Sequence, residues 1–190
     1  METKNIMIVG VGGQGTLLTS RILGGITRKA GYDVKISEVH GMAQRGGSVV
    51  TFVRYGDKVY EPIVEEGQAD VLIAFERLEA LRYAHFLKKD GVMIVNDLRM
   101  DPMPVSIGAA QYPENIIENL KKKHQVISLD AQALAKEIGN ARVFNTIIIG
   151  VAAKRMDFAK EDWLKVIEET VPQKTIEINT RAFEAGYALG

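Results

Sequence analysis

The chain has 190 residues, 46% of them hydrophobic and 25% charged, the make-up of an ordinary globular protein with room for a substantial core. Lysine plus arginine equals aspartate plus glutamate at 24 each, so no overall field favours nucleic acid or anionic lipid, and neither partner is expected. Cysteine is absent and the three histidines, His40, His85 and His124, lie far apart, which argues against disulfides, thiolate-held clusters and a zinc site. No apolar run approaches the ~20 residues that cross a bilayer, and the first strand begins too early for a signal peptide, so a cytoplasmic location is expected.

Ile6-Met7-Ile8-Val9 reads as a strand running into V-G-V-G-G-Q-G at 9–15. A helix is predicted from Thr16 to Lys29, with Leu18, Ile22 and Ile26 as its buried stripe and Gly31 as its C′ residue. Strands follow at 34–39 and 48–54, joined by His40-Gly41-Met42-Ala43-Gln44-Arg45-Gly46-Gly47. A turn at 55–58 and a short return arm at Val59-Tyr60 end at Pro62. The apolar run 70–75 predicts a buried strand, 76–87 a helix and 92–95 another strand. The segment 98–104 holds two prolines and reads as a loop, with weaker strands at 105–109 and 125–129 around a helix at 114–123. Helices are predicted at 145–155, 160–170 and 175–189. Strands alternating with helices give a doubly wound, Rossmann-like α/β fold with a mostly parallel sheet, helices on both faces and a helical C-terminal third. The whole of 1–190 is expected to form one domain.

The first loop carries G-x-G-x-x-G at Gly10, Gly12 and Gly15, with Gly13 and Gln14 between them. Free N–H groups at a helix start attract anions, so a phosphate site is one reading. A dinucleotide would need an acidic residue near the end of the second strand, about 20 residues on, and Glu38 is the candidate. The plainer reading of the same glycines is that they allow close helix–sheet packing. In the second loop, Arg45 stands between Gln44 and the Gly46-Gly47 pair, a cation on a closely approachable backbone suited to a carboxylate or phosphate. A solvated surface arginine is the plain alternative. His40 adjoins this loop and is the candidate for proton transfer, although a lone histidine more often has a structural role.

G-V-G-G-Q-G at 10–15 followed by S-E-V-H-G-M-A-Q-R-G-G-S-V at 37–49 resembles the beta subunit of indolepyruvate:ferredoxin oxidoreductases. More broadly it resembles the gamma subunit or domain of pyruvate and 2-oxoacid:ferredoxin oxidoreductases. The similarity continues through D-V-L-I-A at 70–74, G-V-M-I-V-N at 91–96 and N-T-I-I-I-G at 145–150, spanning nearly the whole chain. The resemblance implies one subunit of an enzyme that converts a 2-oxoacid and coenzyme A to an acyl-CoA and carbon dioxide, reducing ferredoxin. It implies that thiamine diphosphate, Mg²⁺ and [4Fe-4S] clusters sit in partner subunits, that this chain binds no cofactor by itself, and that alone it is inactive. The wording before R-G-G leans to the indolepyruvate branch over the pyruvate and 2-oxoglutarate branches. Under this resemblance Gly10, Gly12, Gly13, Gln14, Gly15, Gly41, Gln44, Arg45, Gly46 and Gly47 are the cofactor-binding or partner-facing residues.

Two rival readings stay open. A free-standing NAD(P)-dependent oxidoreductase would use 10–15 and Glu38, but no Tyr–Lys or His–Asp arrangement stands out to serve it. A nucleotide-sensing or scaffold domain would need no chemistry. Among the remaining residues, Lys121-Lys122-Lys123 reads as a solvated helix end, Glu65-Glu66 as surface, Trp163 as core or a subunit contact, and Asn145 as a helix cap.

Overall fold

The computed structural model describes residues 2–41 and 46–190. Strand β1 (Lys4–Val11) leads through the first glycine loop into helix α1 (Thr16–Lys29), with the predicted bounds. Then come β2 (Asp33–His40), β3 (Ser48–Gly56), β4 (Ala69–Ala74), α2 (Arg77–Tyr83), β5 (Leu87–Asn96), α3 (Met103–Ser106), α4 (Ile116–Lys121) and β6 (Gln125–Leu129). The C-terminal third is helical: α5 (Ala131–Ile138), α6 (Phe144–Ala153), α7 (Lys160–Thr170) and α8 (Ile176–Leu189).

The six strands form one sheet in the order β2-β3-β1-β4-β5-β6. β1, β4, β5 and β6 are mutually parallel, whereas β3 is antiparallel to both of its neighbours and stands between β1 and β2. Period-two alternation divides the central strands between two cores. Ile6 and Ile8 of β1, with Val71, Ile73, Val92 and Ile94, face α1, α6, α7 and α8. Met7 and Val9, with Leu72, Ala74, Met93 and Val95, face α2 and α4. Trp163 is fully buried in the first core, its ring stacked on Phe183.

Two predicted strands are absent. Residues 105–109 fall in and just after the short helix α3, because Pro102 starts a turn whose carbonyl accepts from Val105 and Ser106, and Gly108 ends it at φ +76°. The arm at Val59-Tyr60 pairs with no strand; Val59 N–H is taken by the Asp33 carboxylate at 2.9 Å. Asn145 is not the N-cap of α6, which is Val143, but the second helical residue, where its side chain accepts from Thr146 N–H.

Candidate functional site

The carboxyl ends of β1, β2, β4 and β5 and the start of β3 lie along one edge of the sheet, the edge where open α/β sheets place ligands. Because β3 pairs with β1 from Val11↔Ser48 onward, the two glycine loops are neighbours in space. Gly12 N–H donates to Gly47 O at 2.8 Å, joining them directly. Met42, Ala43, Gln44 and Arg45 lie outside the described residues, so the proposed roles of Gln44 and Arg45 rest on sequence. Gly41 and Gly46 are exposed on either side of them.

The first loop is held from beneath. Gln14, read from sequence as facing a ligand or partner, is 7% exposed and turns inward. Its Oε1 accepts Val11 N–H at 2.7 Å, and its Nε2 donates to Phe75 O at 3.2 Å. A Cβ on Gly10 would lie 2.8 Å from that same Oε1. Gly15 is in the left-handed region at φ +89°, and a Cβ there would overlap the Asn145 amide from α6. Close packing therefore accounts for Gly10 and Gly15. Gly13 is the exposed member, at φ +99° with open space around it.

A cavity of about 370 Å³ opens beside this loop, lined by Gly12, Gly13, Gly15, Thr16, Leu17, Glu38, His40 and Val49. The structure thus gathers the loop and both candidate side chains of β2. Glu38 nevertheless belongs to a strand one place beyond the usual neighbour of β1, since β3 intervenes, and two strand spacings are about 10 Å. It accepts from Thr51 Oγ1 at 3.3 Å. His40 is exposed opposite Val49, and among the described residues no partner orients its imidazole. The proton-transfer role considered for His40 lacks the second group it would require.

On the other flank, two carboxylates at the start of α2 are buried, and neither was singled out from the sequence. Glu76 is 1% exposed: it caps α2 by accepting Glu79 N–H at 2.9 Å and also accepts Met100 N–H at 3.1 Å and the Tyr112 hydroxyl at 2.5 Å. Burial, followed by this bond to Glu76, holds the Tyr112 phenol above its ordinary range. Glu79 is 4% exposed and accepts the Ser48 hydroxyl at 2.5 Å and Arg82 Nε–H at 3.2 Å. A helix-capping acid pair directly after a buried strand was the available signal.

The donor set does not fit the redox groups implied for such an enzyme. The chain has no cysteine, and among the described residues no group of three or more His, Cys, Asp or Glu could hold a metal ion. No helix among the described residues is long and apolar enough to cross a membrane.

The family model for pyruvate ferredoxin/flavodoxin oxidoreductase matches residues 5–189. The chain belongs to this family. Indolepyruvate oxidoreductase subunit IorB of Thermococcus kodakarensis is 43% identical to it over 98% of this chain and 95% of its own length. The subunit of the same name from Archaeoglobus fulgidus is 43% identical over 96% and 93%. Relatives named for pyruvate and for 2-oxoglutarate, from Methanocaldococcus jannaschii, stand at 28%. Pyruvate oxidoreductase subunit PORC of Thermotoga maritima shares the fold, with a TM-score of 0.74 at 24% identity, covering 99% of this chain and 97% of that one. As a pyruvate ferredoxin/flavodoxin oxidoreductase family member whose relatives are named as subunits, the chain is one subunit of an oxidoreductase complex, and other subunits are implied.

Proposed function

We propose that this chain is the gamma-type subunit of a thiamine-dependent 2-oxoacid:ferredoxin oxidoreductase of the indolepyruvate branch, acting over 1–190 as one unit. The reaction turns a 2-oxoacid, coenzyme A and oxidised ferredoxin into an acyl-CoA, carbon dioxide and reduced ferredoxin. The observation that carries the reading is the hydrogen-bonded pair of glycine loops at the sheet's carboxyl edge, in a chain 43% identical to subunits named for indolepyruvate. Thiamine diphosphate, when bound in the complex, accepts the electron pair released on decarboxylation. We assign it, with Mg²⁺ and [4Fe-4S] clusters, to partner chains: this chain has no cysteine to ligate a cluster, and among the described residues no group of three or more His, Cys, Asp or Glu could hold a metal ion. The part of this chain is to present a shaped edge. Gly41, Gly46, Gly47 and Gly13 let a partner's backbone or a cofactor approach closely, and Arg45 supplies a cation to an anionic group there. The complex works in the cytoplasm.

The test is an anaerobic affinity pull-down of the chain from its native lysate, assayed for coenzyme A-dependent viologen reduction with indolepyruvate, pyruvate and 2-oxoglutarate. A co-purifying thiamine- and iron–sulfur-binding chain, with indolepyruvate the preferred acid, is expected. Recovery of the chain alone, inactive on all three acids and binding NAD(H), would reverse the reading. In the active complex, Arg45→Ala should lower turnover or raise KM while the subunits still assemble.

A further inference from the structure

We propose that Glu79 is a positioning residue, holding the exit of the second glycine loop for its work at the partner subunit; this rests on the function proposed above. The loop leaves through Gly46, Gly47 and Ser48, and two consecutive residues there are pinned. Gly47 O takes the Gly12 N–H, and the Ser48 hydroxyl donates to Glu79 Oε2 at 2.5 Å. The Tyr83 hydroxyl stands 3.4 Å from the same Ser48 oxygen.

Glu79 does more than helix α2 asks of it. It is the third helical residue after the Glu76 cap, the place from which an acid commonly reaches back to the N-cap N–H. An exposed carboxylate would serve the helix dipole equally well. Here the carboxylate is instead buried, which is costly without partners, and those partners are Ser48 from the loop exit and Arg82. Glu76, three residues earlier, reaches the opposite way to Met100 and Tyr112. Between them lies a cleft of about 100 Å³ that includes Val11, Gly46, Ser48, Glu79, Arg82 and Met100. One helix start thereby sets both walls of the cleft, and the Glu79 wall is the one continuous with the loop.

Two measurements on folded protein test this. Trypsin cuts after Arg45, and the rate at which the fragment beginning at Gly46 appears reports how firmly the exit is held. Loss of a charge-assisted hydrogen bond should speed that cut about tenfold in Glu79→Ala and Ser48→Ala. The double variant should be no faster than either single one, because both remove the same Ser48–Glu79 bond at the loop exit. Glu79→Gln retains an acceptor for Ser48 and should stay within about twofold of wild type. In the reconstituted complex the two alanine variants should lose about tenfold in kcat for the 2-oxoacid while KM holds and the partner is bound as before. Cleavage and kcat both unchanged in Ser48→Ala and Glu79→Ala would overturn the proposal. A wild-type complex inactive on every 2-oxoacid would overturn the functional reading alone, and the cleavage rates would still decide for or against Glu79.

Discussion

Gln14 shows how much of the first loop is maintained by one side chain. Its amide oxygen satisfies Val11 N–H, its amide nitrogen reaches Phe75 O at the end of β4, and Gly10 is small because that oxygen occupies the space above it. Gln14→Leu would fill the same volume and leave Val11 N–H buried without an acceptor. A loss of about 1–3 kcal/mol in urea unfolding is expected, and a change under 0.5 kcal/mol would mean that water replaces the amide. From the sequence, Gln14 could be placed in the loop but not turned inward, because G-Q-G carries no sign of which way its middle residue points. The buried Glu76 and Glu79 were hidden for a related reason: glutamate at a helix start ordinarily faces solvent, and the partners that bury it, Tyr112 and Ser48, are 36 and 31 residues away.

At the scale of elements, the N-T-I-I-I-G segment of α6 is a packing device at both ends. Asn145 sits against Gly15 of the first loop, and Gly150 meets α8, where its missing Cβ leaves room for the Phe183 carbonyl and the Tyr187 backbone. Gly186 returns the contact, its Cα against the Ile147 carbonyl. Gly186→Ala forces the two helices apart, and overpacking of this kind costs about 1–3 kcal/mol, readable as a fall in urea midpoint at unchanged slope. The helices α1 and α7 and the strand β6 were legible to the residue, since their apolar spacing and flanking signals agree. The segment 105–109 was not. Its alternation resembles a strand, but Pro102 presets a helical turn, and the apolar residue Ile107 stays exposed where a strand would have buried it.

For the whole molecule, the fold class was legible and the strand order was not. Hydrophobic runs announce strands, yet nothing in them says that β3 enters between β1 and β2, and that choice is what brings the glycine loops together. The finished structure also determines how the protein meets alkali. Of six tyrosines, Tyr55 and Tyr112 are held above the ordinary phenol range, Tyr55 by burial and then by Asp70 and Asp157, Tyr112 by burial and then by Glu76. Their neutral forms therefore favour the folded state fully below the unfolded phenol value of about 10, and that contribution drains away as pH rises above it. Phenolate absorbance should show these two ionising last, together with unfolding. Tyr112→Phe should remove one late proton; two early ones would contradict the packing described here.

The β2–β3 connection has a further consequence for how this protein can change over time. Both flanking strands are secured by register to one another, and β3 again to β1, so His40 and Ser48 at the two ends of the connection are held by strand pairing. Connections between strands generally accept changes of residue and even of length more readily than the strands they join. Selection can thus rewrite the chemistry offered to a partner while the strand pairing is left alone. Divergence between branches with different substrates would then gather at this connection before it reached the sheet.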